Sequence, residues 1–169
     1  VKQTNNMKIP NNSQWYDPKS TWTQETWEGE IIKNIYMATY DFWFTMPMCP
    51  DAKILWDFCE PLGRAVLTAK PSPYSPPVVD KAKFDWVNKN LGPHKSDAFI
   101  CCNRDEKAQY AKGHVLVDDD PRNCKAWEDA GGHAIYHPYK FEKQGDSLVC
   151  IEHGDINETI NKIKEFLHV

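Results

Sequence analysis

The apolar positions of the chain fall into short runs, and their spacing changes along it. From Glu25 to Tyr40, the residues Ile31, Ile32, Ile35 and Tyr36 recur at helical spacing, behind a Ser20-Thr21-Trp22-Thr23 stretch that offers helix caps. Met46-Pro47-Met48-Cys49-Pro50 interrupts that pattern. Pro50-Asp51 then opens a second predicted helix with Ile54, Leu55 and Phe58 inward, ending near Leu62-Gly63. Ahead of both, Val1 to Thr26 is polar and irregular, with Trp15, Tyr16 and Trp22 scattered through it and Pro10 and Pro18 set against long helices.

Beyond Gly63 the period alternates between strand and helix. Strands are expected over Arg64–Thr68, Asp97–Cys102, His114–Val117 and Gly132–Tyr136. Between them lie a proline-rich loop from Ala69 to Pro77, a helix over Val79–Leu91, a short helical stretch over Glu106–Ala111 and a helix over Pro121–Ala130. The core contacts expected from the Val79–Leu91 helix are Val79, Phe84, Trp86, Val87 and Leu91. A polar, hairpin-like segment follows, and then a terminal helix over Ile156–Leu167 with Asp155 as its cap. Short apolar strands alternating with helices imply a parallel sheet covered on both faces. Ligands of such sheets sit at the carboxyl ends of the strands. Thr68, Asp118 and Asp119 all fall at such ends, so they are expected to converge.

Composition narrows the class without deciding it. The 169 residues are 41% apolar and 26% charged, enough for one ordinary core. A net charge of −4 argues against a polymeric nucleic-acid partner, which calls for a basic face. It leaves room for a small phosphorylated ligand held by a few cations. No apolar run is long enough to span a bilayer, so no membrane partner is expected. The cysteines at 49, 59, 101, 102, 124 and 150 have neither disulfide-framework nor zinc-knuckle spacing. Reduced thiols and a cytoplasmic location are therefore expected.

Three local patterns carry chemistry. Val115-Leu116-Val117 leads into Asp118-Asp119, two adjacent carboxylates at the tip of an apolar strand. Adjacent carboxylates repel unless a cation sits between them, and Mg²⁺ suits oxygen ligands. Asp120-Pro121 equally reads as an acidic turn that caps the following helix. Leu67-Thr68-Ala69 places a hydroxyl and a following backbone N–H where a phosphate oxygen can bind, although a threonine ending a strand is commonly a turn residue. Lys107 is the preferred cation for that phosphate and Lys112 the alternative, against the ordinary expectation that each is a solvated lysine.

The order of these patterns, strand–Thr, then Lys, then strand–Asp-Asp with a helix and Gly-Gly, resembles motifs two to four of the haloacid dehalogenase-like (HAD) superfamily. Residues 42 to 137 are most similar to its 5′(3′)-deoxyribonucleotidase branch and small phage-encoded relatives. The matching pieces are Met48-Cys49-Pro50-Asp51-Ala52 with Leu55-Trp56, Leu67-Thr68-Ala69, Lys107-Ala108-Gln109-Tyr110-Ala111, Val117-Asp118-Asp119, Asn123, Ala126-Trp127 and Ala130-Gly131-Gly132. The resemblance implies a Rossmann-like three-layer α/β/α parallel sheet over residues 51–169, with a small helical N-terminal cap within residues 1–50. It implies a Mg²⁺-dependent phosphomonoester hydrolase acting on a nucleoside 5′-monophosphate or deoxynucleotide. Thr68 and Ala69 would bind the phosphoryl group, Lys107 would bridge phosphate and nucleophile, and Asp118 and Asp119 would hold Mg²⁺. Trp22, Trp27, Tyr40 and Trp43 would belong to the cap, packing its core or stacking on a base.

One departure stands against that picture. The family's first motif is Asp-x-Asp on the central strand, with a nucleophile followed by a general acid. Here Asp-x-Asp occurs only as Asp118-Asp119-Asp120. The motif would fall just ahead of Val1, and the non-methionine start favours a short N-terminal strand outside this sequence. Without such a strand, or a partner chain in its place, the sheet keeps a gap and unpaired edges. The competing reading is a catalytically inactive binding or interaction module. A receiver-like domain ranks lower, because its acidic pair comes first in the chain and its lysine last.

Overall fold

The computed structural model describes residues 37–92, 98–144 and 147–169. Trp22, Trp27, Asp97 and most of the helix expected over Glu25–Tyr40 lie outside them. At the C-terminal end of that expected helix a new one begins. Helix α1 covers Tyr40–Phe44, with the Thr39 side chain accepting from the Phe42 N–H.

Helix α2, Ala52–Phe58, runs into a 3-10 turn at Glu60–Leu62 and stops at Gly63, whose φ of 77° is left-handed. Its inward face differs from expectation. Ile54 is 53% exposed, whereas Trp56 is only 8% exposed. The Arg64 guanidinium lies 4.1 Å over the Trp56 ring and donates to the Trp56 carbonyl, which fixes the tryptophan as the covered residue. With Arg64 so engaged, strand β1 starts two residues later than expected and covers Val66–Ala69.

Helix α3, Pro77–Leu91, carries the chain from β1 to β2, Phe99–Cys102. The two strands pair in parallel, with Thr68 opposite Cys101 and Ala69 opposite Cys102. Pro at the first turn of α3 forfeits only an N–H that the helix leaves unpaired anyway. Val79, Ala82 and Val87 form the buried stripe of α3. Phe84 is half-buried and meets Phe99 edge-on at 5.3 Å. Trp86 is half-buried as well and donates its indole N–H to the Met46 carbonyl at 2.7 Å.

A second unit repeats the plan. A 3-10 helix over Arg104–Tyr110 leads to β3, Val115–Asp118, then α4, Pro121–Asp129, and β4, His133–Tyr136. Strands β3 and β4 are parallel, with Asp118 opposite Tyr136. Asp120 caps α4 by accepting from the Arg122 N–H. Gly131 ends α4 at a φ of 85°. Gly132 is required by packing, because a Cβ there would lie 2.3 Å from the Trp127 indole nitrogen and 2.5 Å from the Ala111 carbonyl oxygen.

Strands β5, Tyr139–Gln144, and β6, Ser147–His153, form the expected hairpin as an antiparallel pair. Helix α5, Ile156–Leu167, has the expected bounds and its Asp155 cap, and packs on α2, β3 and β4. His133 stacks on Phe166 at 4.4 Å.

The molecule is therefore a mixed α/β structure with small parallel sheets. Among the described residues, each of the four parallel strands hydrogen-bonds to one neighbour only. Leu67 of β1 packs against the Ala111, Leu116 and Trp127 cluster of the second unit, so the two units share a core. All six cysteines carry free thiols. No helix among the described residues is long and apolar enough to cross a membrane.

Candidate functional site

The ends of β1 and β3 carry the residues singled out by the sequence. Asp118 is the last residue of β3, and its carboxylate is almost completely enclosed. Its Oδ2 accepts from Lys107 Nζ at 2.8 Å. Its Oδ1 accepts from the Asp120 N–H at 2.9 Å and from Asn123 Nδ2 at 3.0 Å. A buried carboxylate is tolerable only with this degree of pairing. Lys107 is equally buried, held on the 3-10 helix whose start is tied by the Asn103 N–H donating to Glu106. Lys112, the alternative cation, is exposed and leaves only its carbonyl near His114. The structure thus sets Lys107, and not Lys112, against the acidic strand end.

Asp119 faces a different environment. The residue is exposed at the surface, yet partial desolvation of its carboxylate pushes the pKa up, and Asp118 beside it pushes the same way. Its own backbone N–H and the more distant Lys107 offset part of this. Asp120 behaves in the opposite sense. Arg122 grips it through Nε and Nη2 and, with Arg104 nearby, holds its carboxyl down at about 2. Of the three consecutive aspartates, one is an ion-pair partner, one a helix cap, and one a crowded carboxylate.

Thr68 is reached through a residue the sequence reading passed over. Lys83 of α3 donates to Thr68 Oγ1 at 3.1 Å and to the Ala69 carbonyl at 2.6 Å, and its ammonium sits 3.9 Å from the Trp43 ring centroid. Burial pushes its pKa down to about 8; Cys101 and Asp80 act against that shift and Lys107 with it. The Lys107 charge adds to that lowering, and Leu67, next to Thr68 on β1, packs against the cluster that holds Leu116 of β3. A signal was present in the sequence. Lys83 sits on the Val79, Ala82, Val87 stripe, where an amphipathic helix calls for an apolar residue.

A second polar cluster also escaped the sequence reading. Asp51, at the start of α2, pairs with His137 Nε2 at 3.0 Å and accepts from the Tyr139 hydroxyl. His137 Nδ1 lies 2.7 Å from Thr159 Oγ1, and all three of Asp51, His137 and Thr159 are buried. Gly154 is closed to any side chain, because a Cβ there would meet the His137 ring at 2.7 Å. Cys49 borders this cluster. Desolvation pushes its thiol up to about 12, with Cys150, Asp51 and Asp119 adding to the shift. The partners are too far apart in the chain for spacing to reveal them.

Metal-binding capacity follows from the donors. Among the described residues no group of three or more His, Cys, Asp or Glu side chains is arranged to hold a metal ion. Mg²⁺ does not need one, since it commonly takes one or two carboxylates and keeps its waters. Of the Asp118–Asp119 pair, Asp119 suits such an ion better than Asp118. Asp119 is crowded and gains from a cation, whereas Asp118 already accepts three donors. Comparison of the chain with protein-family models, with curated proteins and with solved structures finds no match.

Proposed function

We propose that this chain is the larger part of a HAD-like phosphohydrolase, a Mg²⁺-dependent phosphomonoester hydrolase acting on a nucleoside 5′-monophosphate or deoxynucleotide. The observation that carries the reading is the buried Lys107–Asp118 pair at the tip of β3, with Asp119 beside it. Thr68 stands near the end of β1 and accepts from Lys83, whose protonation the Lys107 charge disfavours. On this reading the two parallel pairs are halves of one three-layer α/β/α sheet. This reading requires a central strand bearing Asp-x-Asp between β1 and β3, a motif that residues 1–169 hold only as Asp118-Asp119-Asp120. The aromatic segment around Tyr40 and Trp43 belongs to the cap.

The roles follow from position. The Thr68 hydroxyl and the Ala69 backbone orient a phosphoryl oxygen. Lys107 neutralises charge on the phosphoryl group while Asp118 holds its ammonium in place. Asp118 and Asp119 would hold Mg²⁺, which would supply further neutralisation of that group when bound. On this reading the nucleophilic carboxylate would belong to that central strand. It bonds to phosphorus as the ester P–O bond breaks, and the leaving oxygen takes a proton from the second Asp of that motif. Water then cleaves the aspartyl-phosphate and releases phosphate.

The test is phosphate release from a nucleotide panel in the presence of Mg²⁺, using the chain with its central strand in place. Turnover that falls sharply in Asp119→Asn supports the reading. An inactive complete protein that Asp119→Asn leaves unchanged sinks it.

A second reading rests on the sequence itself, where Asp-x-Asp occurs only at residues 118–120 and those side chains already serve as ion-pair partner and helix cap. It makes the chain a binding or interaction module without turnover. Calorimetry separates the two, since such a module takes up nucleotide or a protein partner and releases no phosphate.

A further inference from the structure

Lys83 carries a positive charge into a place where a helix normally puts an apolar side chain. It shares its face of α3 with Val79, Ala82 and Val87, all buried. An ammonium removed from water is costly unless an anion or good acceptors compensate. The acceptors present are the Thr68 hydroxyl, the Ala69 carbonyl and the face of the Trp43 ring, none of them charged.

Among the described residues, the carboxylates that could compensate it are engaged elsewhere. Asp80, one turn earlier on α3, pairs with Lys70 at 2.8 Å and accepts from the Cys101 thiol at 3.3 Å. Asp118 is taken by Lys107 at 2.8 Å. Lys107 is close enough to repel Lys83. Lys83 thus reaches the end of β1, while the Asp118 carboxylate neutralises Lys107. Among the described residues no carboxylate pairs with Lys83, and its ammonium rests on the hydroxyl proposed above to meet a phosphoryl oxygen.

We infer that Lys83 is a substrate-binding residue that anchors a phosphoryl dianion against Thr68, with Lys107 as the second cation. The inference rests on the phosphohydrolase reading for the identity of the anion and adds a binding group to it. Lys107 already shares its charge with Asp118, so Lys83 supplies the cation that no carboxylate pairs with among the described residues. Trp43 keeps water from one side of the ammonium and holds it by a cation–π contact. The groups that set its protonation are Asp80 on its own helix, Cys101 on β2 and Lys107 on the 3-10 helix, over the dominant effect of burial. Burial brings its proton within reach of mild alkali, so anion binding weakens as pH rises past about 8.

The probe is inorganic phosphate, titrated calorimetrically into the chain at pH 7.5 and pH 9.5, for the wild type and for K83M, K83R and T68V. The expected result is uptake by the wild type at pH 7.5, weakened roughly tenfold or more in K83M and at pH 9.5. K83R retains binding and loses the pH dependence, because a guanidinium stays charged throughout. This control also covers the case in which K83M changes the packing. Binding by K83M equal to that of the wild type, with T68V impaired, overturns the role of Lys83 and leaves the hydrolase reading standing. No uptake by the wild type overturns the inference. Lys83-dependent uptake by a complete protein that releases no phosphate from any nucleotide upholds it and removes the hydrolase reading instead.

Discussion

Lys107 and Asp118 hold one another at 2.8 Å in a setting where neither side chain has appreciable access to water. The carboxylate takes two further donors, from the Asp120 backbone and Asn123, while the ammonium has the carboxylate as its charged partner. Breaking such a pair from one side leaves a naked buried charge. Lys107→Met or Asp118→Asn alone is therefore expected to cost about 3–5 kcal/mol. The double replacement is expected to cost less than the sum of the two. Urea denaturation of the four proteins in a double-mutant cycle measures this, and strictly additive costs would show that the pair is not coupled.

Lys83 is predicted to be a stability liability at neutral pH. Its folded pKa of about 8 lies below the ordinary lysine value. Between about pH 8 and 10.5 the unfolded chain binds more protons than the folded one, so stability rises with pH across that window. Lys83→Met removes a charge that the folded state holds at a cost. It is expected to stabilise the protein by about 1–3 kcal/mol at pH 7, with the gain shrinking as pH approaches 10. Thermal unfolding against pH checks it. A destabilised variant at pH 7 would mean that the contacts with Thr68, Ala69 and Trp43 outweigh the burial penalty.

Asp119 carries the same signature with the sign reversed. Its pKa is raised by crowding and by Asp118, so the folded state binds the extra proton and stability falls as pH climbs through the range between the ordinary and raised values. Asp119→Asn is expected to flatten that dependence and to leave stability at pH 7 unchanged or higher. On the proposed function the same change lowers Mg²⁺-dependent hydrolysis by on the order of a hundredfold or more. Urea unfolding at a series of pH values, paired with phosphate release, reads both. A clear loss of stability at pH 7 would show that Asp119 is a structural acid.

The thiol of Cys49 is predicted to be inert. A pKa of about 12 in place of an ordinary 9.0 lowers the thiolate population at pH 8 by roughly a thousandfold. Cys101 and Cys124, each pushed up to about 11, are expected to be slow as well. Timed alkylation with iodoacetamide and peptide mapping tests the order. Modification of Cys49 at the rate of a free model thiol, with the protein folded, would contradict the burial on which this rests.

Much of the β-α-β alternation was legible because apolar runs such as Val66-Leu67 and Val115-Leu116-Val117 have no other way to avoid water. The ends of elements were less so. Arg64 was read into a strand, yet it is drawn back by the Trp56 ring and carbonyl. Ile54 was expected inside α2, but in a seven-residue helix the covered face is set by neighbours rather than by period, and Trp56 takes it. In the candidate site, the meeting of Lys107 with Asp118 was readable from chain order, because both flank one short strand. Lys83 was missed because a lone lysine in a helical stretch is usually solvated; only its place on the buried stripe distinguishes it. The Asp51 cluster was invisible because nothing local relates residues so distant in sequence.

That cluster bears on how the chain matures. Asp51 is synthesised 86 positions ahead of His137, and Thr159 emerges another 22 after that. A carboxylate at the head of a short helix cannot withdraw from water until the imidazole arrives, and the imidazole is not secured until the last helix is out. The cluster at the front of the described chain is therefore complete only after the final helix has been made. It closes only when the final helix docks, so truncating that helix would undo the beginning of the chain as well as its end.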